Sequence, residues 1–315
     1  MRIKLVIATL FLAVLLPAQP AQQALAKEVK VTMTVLETEL PVDNAGRQMR
    51  TAWTFGGTVP GKVVRVREGD TIDFTLVNPS SSSMSHSMDF HIAEVDVLNE
   101  FGSIAPGETK HFKFNARLPG VYMYHCGTMP MPQHIANGMY GAIIVDPKNS
   151  KNYPKADREY VLVQQQLFPD TSDTTALLEN KGWTGSLING KMFHYDPVHD
   201  GNATQVLEAK PGERVRIYFV NANINNPVAF HPIAGLWDRV YIGGNPNNTL
   251  YGIATYNVAV SEGSTFDLVT PAGRATNVAI VDHAMGAAMR GAITVLMSKP
   301  DADPNKGRGD QIILR

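Results

Sequence analysis

The side chains best able to bind a transition metal fall in one stretch of the sequence. His86-Ser87-Met88-Asp89-Phe90-His91 is followed by Tyr124-His125-Cys126-Gly127, then by His134 and Met139. Cys126 is the single cysteine, so it makes no internal disulfide; an inert buried thiol, an intermolecular bridge and a metal ligand are the roles left. Its neighbours favour the third. Two imidazoles, from His86 and His134, with the Cys126 thiolate and the Met139 thioether are the ligand set of a blue-type copper centre, trigonal with a weak axial sulfur, which passes one electron at a time. Met129 and Met131 read as packing around that centre.

Strand geometry sorts the remaining histidines. His86 and His91 are five residues apart and His125 and Cys126 are adjacent, both odd separations, and side chains on an extended strand alternate between its two faces. One strand pair can therefore send His86 and Cys126 inward to one metal and His91 and His125 outward to a second. Asp89, two residues from His91, shares that outer face. His283, in Val281-Asp282-His283-Ala284, occupies the position in the second half of the chain that answers to His125 and Cys126, and is the expected third imidazole. Three imidazoles with an open position make a catalytic site, for copper or zinc alike. His231 is left as a non-ligand able to donate a proton across the pocket; His111, His194 and His199 read as surface or loop residues.

The elements that must position these groups are short strands. Segments rich in β-branched and aromatic residues recur at 62–66, 71–77, 110–114, 120–124 and 142–145, and again at 214–220, 239–242, 256–260, 265–269 and 292–297, with Gly, Pro and Asn at the joints. The two series correspond. Val66 to Asn78 is answered by Ala209 to Asn221, Asp89-Phe90-His91 by Ala229-Phe230-His231, and Gly141-Ala142-Ile143 by Gly291-Ala292-Ile293. Order is kept throughout, which reads as one sandwich duplicated. A polar, proline-punctuated stretch at 146–157 joins the halves. The segment 171–183 fits a short helix or a loop, and the tail from Lys299 reads as extended, exposed and available to clasp a neighbouring subunit.

At the N-terminus, Arg2 and Lys4 precede an apolar run from Leu5 to Leu16, then Pro17 and Ala24-Leu25-Ala26, the layout of a secretory signal peptide cleaved after Ala26. The run is shorter than the roughly 20 residues of a membrane span, so no span is expected after cleavage and the product is periplasmic or secreted. Loss of Arg2 and Lys4 takes the formal charge from -1 to -3. No concentrated basic surface suited to nucleic acid is present.

At these motifs the sequence resembles the copper-containing nitrite reductases along essentially the whole mature chain. His86, Asp89 and His91 match the family's first motif, and His125, Cys126, His134 and Met139 its second. His231-Pro232-Ile233 and His283 match those of the second domain. The resemblance implies an all-β fold of two tandem cupredoxin-type Greek-key β-sandwich domains, 27–150 and 151–300, after a signal peptide (1–26) and before a C-terminal tail (301–315). It implies one type 1 copper held by His86, Cys126, His134 and Met139, and one type 2 copper held by His91, His125 and His283. Asp89 and His231 are then the acid-base pair and Ile233 shapes the space above the metal. The implied reaction is reduction of nitrite to nitric oxide and water, with a small cupredoxin or c-type cytochrome as electron donor and a homotrimer in which His283 comes from the neighbouring subunit. Two departures stand out: seven residues separate Cys126 from His134, one fewer than in many members, and Leu236 stands where many have a further histidine. The rivals fit less well. A laccase-like multicopper oxidase needs several His-x-His pairs, and the chain has none; a pure blue-copper electron carrier leaves His91, His125, Asp89, His231 and His283 unexplained.

Overall fold

The computed structural model describes residues 26–149, 151–308 and 313–314; the expected signal segment, up to Leu25, lies outside them. The first half of the chain forms β1 (Glu28–Pro41), β2 (Met49–Phe55), β3 (Val63–Arg67), β4 (Thr71–Val77), β5 (Asp89–Phe90), β6 (Thr109–Asn115), β7 (Gly120–His125), α1 (Met131–Ala136) and β8 (Tyr140–Asp146). The second half begins with β9 (Arg158–Leu167), α2 (Thr174–Leu178), β10 (Gly185–Ile188), β11 (Leu207–Ala209) and β12 (Arg214–Asn221). It continues through β13 (Val228–Ile233), β14 (Trp237–Tyr241), β15 (Thr249–Ile253), β16 (Tyr256–Val258), β17 (Gly263–Val269), β18 (Thr276–Asp282), α3 (Met285–Ala288) and β19 (Ile293–Ser298). A last strand, β20 (Ile313–Leu314), follows.

Each half is a pair of facing sheets. Sheet β2-β1-β4-β6 lies opposite β20-β3-β8-β7-β5, and β10-β9-β12-β17-β14-β15 lies opposite β11-β19-β18-β13-β16. The duplication read from sequence is repeated in connectivity. β1 pairs in parallel with β4 as β9 does with β12, and β3 with β8 as β11 does with β19. Even the buried asparagines at the ends of β4 and β12 do the same work, each amide donating to backbone carbonyls further along the chain, from Asn78 to Met84 and Ile104 and from Asn221 to Asn226, Val258 and Ala259.

Strand patterns follow from what covers them. β4 alternates buried Ile72, Phe74 and Leu76 with half-exposed Thr71, Asp73 and Thr75, because only its inner face meets the core. β8 is buried from Tyr140 to Val145. Its second face packs on the other half, where Ala142 and Ile144, with Val121 and Met123, meet Val161, Val163, Tyr218 and Val220. β9, absent from the expected strands, is the longest of the second half, at 10 residues. Its Gln164, Gln165 and Gln166 are buried and defeat an apolar pattern, yet their amides donate to Asp282, to the Ile135 carbonyl and to Asn180.

Three other expectations are corrected or resolved. The tail does not stand free: Lys299 N–H donates to Ala209, Asp303 N–H to Glu208, and β20 runs parallel to β3 of the same chain. Residues 174–178 are helical, with Asp173 accepting from Ala176 N–H at 3.0 Å as cap. His194, read as a surface or loop residue, lies in a turn but is buried beside Asn44, its Nδ1 at 3.2 Å from the Asn44 side-chain oxygen.

The second sandwich buries an ion pair. Arg216 donates to Asp267 through Nε at 2.7 Å and Nη2 at 2.8 Å, and Tyr241 O–H donates to the same carboxylate at 3.0 Å. Removing one partner leaves the other charge buried and alone. Asp267→Ala is therefore expected to cost about 3–5 kcal/mol, read as a lower denaturant midpoint at unchanged slope.

Candidate metal centres

The first cluster lies inside the first sandwich. The ligating atoms of His86, Cys126 and His134 are mutually within 4.8 Å, and all three residues are fully buried. Cys126 follows β7 directly, and its Sγ stands 3.3 Å from His134 Nδ1 and 3.9 Å from His86 Nδ1. Bonds of roughly 2.3 Å to sulfur and 2.0 Å to nitrogen would put donors on one ion about 3.5 Å apart, so the spacing suits a shared metal. Met139, also fully buried in that core, is tied to the others by its backbone: Met139 N–H donates to His134 and Cys126 N–H to Met139. His86 lies outside β5 and is fixed instead by paired bonds with Ile104.

The donors are prepared for a cation. Burial holds both His86 and His134 at about 4, so the imidazoles are neutral near pH 7 and their lone pairs are free to ligate. Burial pushes the Cys126 thiol up, opposed by backbone N–H groups of Ser87 and Thr128. A thiolate there needs a positive partner, which a metal ion supplies. The soft sulfur and two imidazole nitrogens fit copper of the blue type.

The second cluster lies on the opposite side of β7. Ligating atoms of Asp89, His91 and His125 are again mutually within 4.8 Å. His125 Nε2 is 3.0 Å from His91 Nε2 and 3.8 Å from the Asp89 carboxylate. Two nitrogens bound at roughly 2.0 Å to one tetrahedral ion would stand about 3.3 Å apart, close to what is found. His125 Nδ1 contacts the Cys126 carbonyl at 2.9 Å; a carbonyl only accepts, so Nδ1 carries the proton and Nε2 offers its lone pair outward. His125 is buried, whereas His91 is exposed.

His283 does not join this group among the described residues. It pairs with His231, the ring centroids 5.3 Å apart, and this pair repeats the first-domain one. Asp89 opposes His125 and Phe90 opposes Tyr124 across β5 and β7; Phe230 opposes Asp282 and His231 opposes Val281 across β13 and β18. Counting from Phe90 and Phe230, His91 answers to His231 and His125 to His283. By the same count Asn226 and Ala284 fall where His86 and Cys126 stand, so the second sandwich lacks the blue-type donors. His283, Ile233 and Leu236 are exposed and His231 half-exposed. His231 Nδ1 contacts the Ala254 carbonyl at 2.7 Å and the Thr255 hydroxyl at 3.2 Å.

Several supporting residues gave no signal in the sequence. Trp53 stands edge-on to both blue-site rings, 5.9 Å from His86 and 4.9 Å from His134 between centroids. Ser87 donates its backbone N–H toward the Cys126 sulfur at 3.4 Å, and its hydroxyl accepts from Gly127 N–H at 3.0 Å. The Ser261 backbone, held at φ 62°, lies within hydrogen-bonding reach of His91. Gln165 supports the Ile135 carbonyl next to His134, while its neighbour Gln164 faces the other way to Asp282, next to His283. Each of these contacts joins residues far apart in the chain.

Fold and clusters together define a two-domain cupredoxin with one buried His-Cys-His group and one histidine-rich group. The sequence profile of the multicopper oxidase family matches residues 38–150. A copper-containing nitrite reductase of Neisseria meningitidis serogroup A is 39% identical over 229 residues, 69% of this chain and 56% of that protein. The chain thus spans only about half the length of the curated relatives it matches. A solved copper nitrite reductase of Nitrosomonas europaea is 54% identical, with a TM-score of 0.87 over 91% of this chain and 100% of that one. A copper-containing nitrite reductase of Thermus scotoductus, 27% identical, aligns over 89% of this chain and 63% of that one with a TM-score of 0.77. The chain belongs to the copper-containing nitrite reductase family.

Replacing the sulfur alone separates the two clusters. Cys126→Ser is expected to abolish the intense visible absorption of the copper-loaded protein while leaving one bound copper per chain, measured by metal analysis beside the absorption spectrum.

Proposed function

We propose that the protein reduces nitrite to nitric oxide and water, taking up one electron and two protons for each nitrite consumed. The observation that carries this reading is the division of labour at the end of β7: consecutive residues, His125 and Cys126, belong to donor groups on opposite sides of the strand. Bound copper would supply one-electron transfer at the first group, held by His86, Cys126, His134 and Met139, and polarise nitrite at the second, held by His91, His125 and His283. The peptide between Cys126 and His125 is the shortest covalent route joining the two.

Proton delivery falls to Asp89 and His231. Asp89 borders the second donor group through its 3.8 Å approach to His125 and stays partly open to water, so it can take up protons from solvent and pass them inward. His231 keeps Nδ1 on the Ala254 carbonyl, which leaves Nε2 outside that bond and able, in the protonated form, to donate to a bound nitrite. Ile233, exposed beside it, closes the space above the metal with an apolar side chain.

The site is shared between subunits. His91 and His125 open from the first domain and His283 from the second without meeting inside one chain, which supports a homotrimer whose second copper is completed by the neighbour's His283. A small cupredoxin or c-type cytochrome is the expected electron donor. The signal-peptide layout of residues 1–26 supports a periplasmic or secreted enzyme; no helix among the described residues is long and apolar enough to cross a membrane.

Nitric oxide release from nitrite, driven by a reduced artificial donor, tests the activity. With one type 1 and one type 2 copper per chain by spin resonance, turnover is expected; both coppers present with no nitric oxide would overturn it. Asp89→Asn and His231→Asn should each slow turnover by about 10²-fold or more without loss of copper, and full activity in either variant would remove that residue from proton delivery.

A further inference from the structure

A cleft of about 310 Å³ opens where the two domains meet, and no residue of either donor group lines it. One wall comes from β2, β3 and the turn between them, the other from β9 and residues 189–191. Its floor is apolar, with Val59, Val161 and Val163. Its charge is one-sided: Arg50, Lys62 and Lys191 line it and no aspartate or glutamate does. Neither lysine has an ion-pair partner among the described residues.

Arg50 is the most constrained of the three. Its Nη1 donates to the Ala136 carbonyl at 3.2 Å, at the end of the helix that carries His134. Its Nη2 is shut off from solvent, and the buried Tyr140 hydroxyl lies beside the guanidinium. Gly138, at φ 114°, makes room for that nitrogen, since a Cβ there would stand 2.6 Å from it. Burial also pushes the guanidinium below its ordinary range. A buried cation without a counter-charge is costly, and three cations around an apolar floor in a chain of net charge -1 raise a local positive potential.

We propose that this interdomain cleft binds a small organic carboxylate, its anionic group held by Lys62 and Lys191, with the buried Arg50 adding positive potential from behind, and its apolar body resting on Val59, Val161 and Val163. The volume is at the lower end of the range for small-molecule pockets, which limits the ligand to a body about the size of one aromatic ring. An inorganic anion satisfies the cations but leaves the apolar floor uncovered; a neutral analogue does the reverse.

Isothermal titration of the copper-loaded protein with benzoate tests the assignment. One benzoate per chain should bind, with affinity falling as salt is raised and at least tenfold weaker binding of benzamide and inorganic phosphate. Lys62→Gln with Lys191→Gln, at two partly exposed positions whose loss spares the fold, should weaken benzoate at least tenfold, and Arg50→Gln, which removes charge but no contact, should weaken it less. Thermal melting of each variant separates loss of binding from loss of folding. Absence of saturable benzoate binding, equal affinity for benzamide or phosphate, or an unchanged affinity in the folded double-lysine variant would overturn the proposal.

Discussion

His125 and Cys126 are consecutive residues at the end of one strand, and β alternation sends them to opposite sides of the sheet. Everything else at the two clusters is arranged around that constraint. Inward, Cys126 needs donors from the sandwich core, and His86 and His134 supply them from a bridged loop and a short helix. Outward, His125 needs donors on the sheet surface, and Asp89 comes from the neighbouring strand β5 with His91 directly after it. The peptide is held still because β7 is covered on both faces. Tyr124 lies in the first core and donates its hydroxyl to the Lys62 carbonyl at 2.7 Å, while Met123 packs into the interface between domains. Gly141 lets the Tyr124 ring lie flat on the next strand, since a Cβ there would stand 2.2 Å from the ring.

Duplication explains why the second sandwich carries half a site. Its strands keep the order and register of the first, so His231 and His283 arrive at the rungs of His91 and His125 with nearly the same ring separation, 5.3 against 5.0 Å. His86 and Cys126 are answered by Asn226 and Ala284, which leaves the second domain an exposed imidazole pair and, among the described residues, no buried metal-binding group. Two open histidine pairs on copies of one scaffold are suited to meet across a subunit boundary. The same β9 glutamines brace both domains, Gln165 behind the blue-type loop and Gln164 behind His283.

Most of this was legible in the sequence because the informative residues are local. The ligand motifs sit in short segments, parity assigns them to faces, and the matched order of segments implies the repeat. Parity sorted His86 from His91 even though only Asp89 and Phe90 between them are strand. What escaped depends on distant contacts. β9 was hidden because buried glutamines look like surface residues until Asp282, Ile135 and Asn180 are brought to them. Trp53 and Ser87 became part of the blue-type site only through folding. His194 looked like a loop histidine and is buried by Asn44, 150 residues away, and the tail's return to β3 is a pairing of strands about 250 residues apart.

The central claim is that one strand end organises two metals, the second of them completed by another copy of the chain. Anomalous diffraction at the copper edge from crystals of the loaded protein tests it most directly. The account predicts two copper peaks per chain, one enclosed by His86, Cys126 and His134, the other between His91 and His125 of one subunit and His283 of the next. A single peak, or a second peak ligated within one chain without a neighbour's His283, would contradict it.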